Sequence, residues 1–302
     1  MTFKYNNVYI EATATVVGPY ESKGLLGNLF DVSYNDMYFG CDTFESAEVK
    51  LILESIDTLL SKIKKNKSDI DLFIAGDLQN QITSSCYAAR KLNVPFLGIY
   101  SACATNNEGL ILGANFIENN LAKRVVVSVS SHNMVAEKQF RNPTEYGAPK
   151  PSTATFTATG GVSCSLTNKK SKVRIESSTL GVISDYMQTD PLNMGANMAP
   201  AAALTINTHL KDLDRTIDDY DLILTGDLGI VGKSILIDFM KTEYGLDIEK
   251  NYNDCGVMLY DLDKQKDVLA GGSGPVCSPL VVYTDILKKL EKGELKRVLY
   301  VA

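Results

Sequence analysis

The 302-residue chain contains no tryptophan and only two histidines, His132 and His209. The shortage of imidazole matters first, because histidine is the commonest general base near neutral pH. Its six cysteines, at 41, 86, 103, 164, 255 and 277, form no CxxC pair and no closely spaced framework. That pattern excludes a zinc ribbon and a disulfide scaffold, and it points to a reducing compartment. No apolar run approaches the roughly 18–20 residues that cross a bilayer. The N-terminus, "MTFKYNNVYIEATATV", lacks the charged and then apolar layout of a secretory signal. Positive charge is also scarce, the formal net charge being −6. The one basic cluster, Lys62–Lys67, fits the solvated last turn of a helix. A nucleic-acid partner, which needs a basic face, is excluded. The chain reads as soluble, or at most peripheral to a membrane.

What is present is an ordinary globular composition, 45% hydrophobic and 22% charged, and an internal repeat. "DLFIAGDLQNQI" (71–82) matches "DLILTGDLGIVG" (221–232), and "AKRVVVSVSSHN" (122–133) matches "LKRVLYVA" (295–302). Between the members of each pair lies a small-residue turn bearing a cysteine and leading into a helix. These turns are "YSACATNNEGLILGANFIE" (100–118) and "GGSGPVCSPLVVYTDILKKL" (271–290). Three landmarks in one order indicate duplication of a single α/β unit.

The spacing predicts a helix over 43–65, opened by a capping-box pairing of Asp42 with Glu45 and carrying an apolar stripe from Val49 to Ile63. Strands at 71–75, 96–100 and 124–130 alternate with helices near 83–92 and 103–119. "LFIAG" and "VVVSVS" are short continuous apolar runs, as in a sheet covered on both faces. Residues 133–152 read as a long functional loop, and 153–181 as a hairpin that closes the first half. The second half begins near Asp190-Pro191. Its last strand has no counterpart to the loop and hairpin of the first half, so roughly 30–40 further residues are expected at the C-terminus.

A strand delivering Ser101-Ala102-Cys103-Ala104-Thr105 into a helix offers backbone N–H groups and a partial positive charge, which suit a thiolate or a bound carboxylate. Taken alone, Cys103 reads as a structural cysteine, since free thiols are usually buried. His132 reads as a strand-end histidine bonded to backbone, close enough to approach the Cys103 pocket. His209 reads as a solvated or C-capping residue. The twinned Asp77 and Asp227, at equivalent strand ends, read as turn braces, with calcium coordination as the alternative. "GIVGKS" (229–234) lacks the P-loop glycine at 227 and is rejected as a nucleotide site. "SSHN" and "NYNDCG" lack zinc spacing.

Two βαβαβ halves with a cysteine heading a central helix resemble the thiolase superfamily, which includes thiolases and fatty-acid condensing enzymes. The resemblance implies an α/β fold of duplicated halves (1–185 and 186–302) in five αβαβα layers. It also implies that a catalytic cysteine would need His or Asn partners from the second half. The corresponding places read "TGDLGIVG" and "AGGSGPVCS", offering Asp227 and Gly229 in one and Gly272, Ser273 and Gly274 in the other. Neither carries an imidazole, so the general-base and oxyanion help that thioester attack requires is missing.

A narrower resemblance rests on the ordered blocks "AGDLQNQ", "SACAT", "KRVVVSVSSHN", "RNPTEYGAPKPSTAT", "DPLNMGANMAPAAA", "DDYDLILTGDLG", "NDCG" and "AGGSG". Together they are similar to the stage V sporulation protein AD family. That resemblance implies a non-catalytic binding protein for dipicolinic acid (pyridine-2,6-dicarboxylate), supporting its uptake into the developing spore. The implied ligand residues are Ser101, Cys103, Ala104, Thr105, Asp77, His132, Asp227, Gly272, Ser273 and Gly274. No cofactor is called for, with calcium entering only as part of the ligand. The implied partners are membrane-embedded stage V sporulation proteins, at the forespore and spore inner membrane, and a homodimer is expected by analogy. The alternative is a Cys103-dependent acyl-transfer or condensing enzyme.

Overall fold

The computed structural model describes residues 1–140 and 149–302. Its first half begins with the strands Thr2–Lys4 (β1), Tyr9–Val17 (β2) and Val32–Ser33 (β3), followed by helix Phe44–Ile63 (α1). Then come Leu72–Gly76 (β4), Thr83–Leu92 (α2), Phe96–Gly98 (β5), Thr105–Glu118 (α3), Arg124–Ser131 (β6) and Asn133–Phe140 (α4). Phe156–Thr157 (β7), Gly160–Thr167 (β8) and Val173–Arg174 (β9) complete it. The main sheet runs β3-β2-β8-β6-β4-β5, with β9 also on β2. Strand β4 is parallel to β5 and β6, whereas β8 is antiparallel to both of its neighbours. Every residue of β6 and β8 is buried, as strands covered by helices on both faces must be.

After Ser177–Thr179 (β10), which pairs with β1, the second half contains Met194–Leu213 (α5), Leu222–Thr225 (β11), Gly229–Tyr244 (α6), Tyr252–Asp254 (β12) and Cys255–Leu259 (α7). Gly272–Ser273 (β13) leads to Cys277–Val281 (α8), which continues through a π-helical turn into Leu287–Lys292 (α9), and Val298–Val301 (β14) follows. Its sheet, β12-β11-β14, is all parallel.

Burial gives the layers. Ile52, Ile56 and Leu59 of α1 and Ala88 of α2 pack on Phe73 and Val126 at the outer face of the first sheet. Ala203 and Ile206 of α5 and Leu236 of α6 pack on Ile223 at the outer face of the second. Between the sheets, Ala114 and Ile117 of α3 share one core with Leu280, Val281, Ile286 and Leu287. The order is αβαβα, as the thiolase resemblance implied.

The duplication extends to individual hydrogen bonds. The Asp71 carboxylate accepts from the amides of Lys123 and Arg124, and that of Asp221 accepts from Lys296 and Arg297. Arg124 donates to Glu11 and to the Asp69 carbonyl, while Arg297 donates to Glu176 and to the Asp219 carbonyl. Helices α1 and α5 both end on a left-handed residue, Lys64 and Asp214, each at φ 54°.

The twin arginines differ in support. The Arg124 side chain is 9% exposed and grips Glu11, which also accepts from Ser165. Arg297 is 40% exposed, and its partner Glu176 is also paired with Arg174 and Arg215. Arg124→Ala is therefore expected to cost about 3 kcal/mol in urea unfolding, by leaving a half-buried carboxylate unpaired. Arg297→Ala is expected to cost at most about 1 kcal/mol. Equal costs would contradict this account.

Several local expectations are corrected. The capping box is Thr43 with Ser46, one residue later than Asp42 with Glu45, because the Thr43 hydroxyl sits where it can accept from the Ser46 amide. Residues 133–140 are helix α4 rather than loop, while 141–148 lie outside the described residues. Strands β8 and β9 each pair with β2 instead of forming a hairpin. His209 is buried, bonded to Thr179 and to the Tyr220 hydroxyl, and burial lowers its pKa to about 4.

Candidate functional site

Strand β5 runs into Ile99, and the chain then turns sharply at Ala102, a non-glycine residue at φ 46°. Such a conformation costs of order 1 kcal/mol or more and persists only where its surroundings hold it. Here Thr105 holds it. The Thr105 hydroxyl accepts from the Ser101 amide at 3.0 Å and donates to the Ala102 carbonyl at 2.7 Å. Cys103 lies in the resulting 3-10 turn, Ala102–Ala104, and α3 starts only at Thr105. Gly76 makes room for this turn, since a Cβ there would stand 2.3 Å from the Ile99 carbonyl oxygen and 2.5 Å from the Thr105 methyl.

The tight turn also spends two of the donors that a helix N-terminus would have offered. The Ala104 amide bonds to the Ser101 carbonyl, and that of Thr105 to Ala102. Ala104 and Thr105 are therefore scaffold, and their expected N–H groups are not free for a ligand. Ser101 is exposed at the entrance to the turn.

The second half supplies the opposite wall. The turn after β11 carries Asp227, and Gly271 (φ 138°) and Gly274 (φ 96°) shape the turn around Ser273. Gly272 and Ser273 pair in parallel with Phe156 and Thr157 of the first half, which fixes Ser273 against Cys103. The Cys103 Sγ to Ser273 Oγ distance is 3.8 Å. Asp227 Oδ2 accepts from Ser273 Oγ and from the Gly274 amide, both at 3.1 Å. Cys103, Asp227, Ser273 and Gly274 thus converge from both halves, with Gly272 contributing backbone alone.

Burial pushes the Cys103 thiol well above its ordinary range, and the adjacent Asp227 carboxyl adds to the shift. Asp227 is itself raised by burial, against the lowering effect of its hydrogen bonds. The result is a neutral thiol beside an acidic group, the reverse of the electropositive setting that activates a cysteine.

Two expected site residues do not join this cluster. His132 bonds through Nε2 to the Met37 carbonyl at 2.8 Å and packs on Phe39 and Phe44. Side chains alternate along β6, so Ser131 faces the Gly274 turn and His132 faces away. Asp77 accepts from the Gln79 amide and from the amide and hydroxyl of Ser85, so it braces its turn. Its neighbour Glu48, fully buried, accepts from Ser130 and Gln79, and burial together with Asp77 raises its pKa to about 8.

Sequence reasoning missed Asp254. It braces the Asp227 turn by accepting from Thr225 and from the amides of Leu228 and Gly229, and burial raises it to about 7. The available signal was "NDCG", an acidic residue directly before a short helix, whose Val257 amide it caps. Cys255 and Cys277 are buried behind it, their thiols pushed up by burial.

This arrangement is the thiolase-like fold of acyl-condensing enzymes. 3-Oxoacyl-(acyl carrier protein) synthase III of Xanthomonas oryzae pv. oryzae is similar with a TM-score of 0.63 at 13% identity, over 99% of this chain and 95% of that one. Cerulenin-bound OleA of Xanthomonas campestris gives a TM-score of 0.64 at 12% identity, over 95% and 90%. Within that fold the family is specific. The chain belongs to the Stage V sporulation protein AD (SpoVAD) family, whose description matches residues 1–302. Stage V sporulation protein AD of Bacillus subtilis (strain 168) is 45% identical over 295 residues, 98% of this chain and 86% of that protein.

Proposed function

We propose that this thiolase-like sporulation protein is a non-catalytic binding protein for dipicolinic acid, and that it supports entry of the acid into the developing spore. The observation that carries the reading is the company Cys103 keeps. A strained turn is maintained around the cysteine, yet it faces Asp227 and Ser273 instead of a base. A planar dicarboxylate calls for a slot, and the proposed one lies where Cys103 of the first half meets Asp227 and Ser273 of the second. Among the described residues no helix is long and apolar enough to cross a membrane. Contact with the forespore inner membrane is accordingly proposed to run through membrane-embedded stage V partners. Strand β5, at the edge of the first sheet with Leu97 and Tyr100 exposed, is the proposed contact for a second copy.

Isothermal titration with dipicolinate, with and without calcium, tests the reading. Saturable heat is expected for the wild type. A loss of at least tenfold in affinity is expected for Cys103→Trp, whose indole would fill the slot, with an unchanged circular dichroism spectrum. Absence of heat from the folded wild type under both conditions would overturn it.

A further inference from the structure

The site contains a buried carboxyl with no cation beside it among the described residues, and that has consequences for an anionic ligand. The groups facing Asp227 come from five elements. They are Cys103 in the 3-10 turn before α3, Ser273 of β13 with the adjoining Gly274, Asp254 at the end of β12, Cys255 of α7 and Cys277 of α8. None is a lysine, arginine or histidine, and among the described residues no ion pair reaches Asp227. Asp254, another acid, is close enough for Asp227 to raise its pKa.

The donors are equally short. Ala104, Thr105 and the Thr105 hydroxyl are spent on the turn, while Ser273 Oγ and the Gly274 amide both point to Asp227 Oδ2. A ligand carboxylate arriving at Cys103 would meet a second carboxylate that already holds the donors it needs. Two carboxylates in contact in a dry site cannot both stay ionised, and one takes a proton. A protonated Asp227 removes the repulsion and provides a new O–H donor in the same step.

We propose that Asp227 is the residue that couples anion binding to proton uptake: it is the neutral carboxylic acid in the complex and donates its proton to the ligand carboxylate. The idea rests on the dipicolinate reading of the site and deepens it. Burial of Asp227 favours the neutral form in the same direction. The proton comes from solvent and no covalent bond changes. Affinity should therefore fall by about tenfold per pH unit once Asp227 ionises in the free protein. Asp254, raised by burial to about 7, is the other acid that can take the proton, and the Asp227→Asn variant separates the two.

The test is titration of the intact chain with dipicolinate, in the presence of a chelator. It is run at one pH in two buffers of different ionisation enthalpy and then repeated from pH 6 to 9. The wild type is expected to take up close to one proton per ligand near the top of that range. Asp227→Asn, neutral at every pH and able to donate from Nδ2, is expected to take up almost no proton and to show a flat affinity profile from pH 6 to 9, whatever its absolute affinity. Binding by the wild type without proton uptake, or uptake that persists in Asp227→Asn, would overturn the proposal and leave the dipicolinate reading standing. The wild-type measurement decides the first point even if the variant fails to fold. Absence of binding at every pH would remove the dipicolinate reading and this inference with it.

Discussion

Glu48→Gln is expected to stabilise the protein, and to do so more as pH rises. Glu48 lies on α1 beneath the ends of β4 and β6, fully buried and beside Asp77, and its pKa in the folded chain is about 8 against an ordinary 4.5. Below the ordinary value, folded and unfolded chains both hold the proton and nothing is lost. Between about 4.5 and 8 the unfolded chain ionises while the folded chain does not, so stability falls by about 1.4 kcal/mol per pH unit. Above 8 the folded group ionises too and the loss levels off, at a total of order 4–5 kcal/mol. Glutamine keeps an acceptor for Ser130, and rotation of the Gln79 amide lets the two side-chain amides bond to each other. Thermal melts at pH 4.5, 7 and 9 should therefore coincide for the two proteins at the lowest pH and diverge in favour of the variant above it. Parallel melting curves would show that Glu48 holds no raised pKa.

The same pair shows what a sequence conveys and what it does not. Asp77 was recognisable as a turn brace because its partners, Gln79 and Ser85, are close in the chain. Glu48 was unremarked because its burial depends on α1 crossing β4 and β6, which no local pattern encodes. The repeat was legible for the opposite reason. Asp71 and Asp221 bind the amides of the KRV strands, so the residues the geometry requires are the ones that recur in the sequence. His209 was misread as solvated because the groups that bury and bond it, Thr179 and Tyr220, belong to other elements.

The candidate site divides along the same line. Cys103 could be named from its small-residue turn, and Asp227 and the Ser273 turn from the thiolase resemblance that sets them opposite it. Which donors remained free could not. The Thr105 hydroxyl and the amides of Ala104 and Thr105 are consumed within five residues, beside a left-handed Ala102 backbone that nothing in "SACAT" announces. The arrangement around Cys103 is thus less a helix end rich in donors than a cluster in which Ser273 and the Gly274 amide are organised around one acid, Asp227.

Cys103 is expected to alkylate with iodoacetamide at least ~10-fold more slowly than Cys86 at pH 8, and to gain no mass from acyl-CoA donors. The thiolate is the reactive species, and each pKa unit above ambient pH removes a factor of ten in its abundance. Cys86 is exposed on α2, whereas burial and Asp227 both hold Cys103 protonated. A condensing enzyme needs the opposite arrangement, a cation or base that draws the thiol proton away and donors aimed at the developing oxyanion. Ser273 Oγ and the Gly274 amide are the nearest candidates for such donors, and both are turned onto Asp227. Peptide mapping after timed alkylation separates the six cysteines, and intact mass after incubation with short and long acyl thioesters reports any adduct. Labelling of Cys103 as fast as Cys86, or a stable acyl adduct on Cys103, would restore the enzyme reading, because either requires a thiolate that this arrangement of acids suppresses.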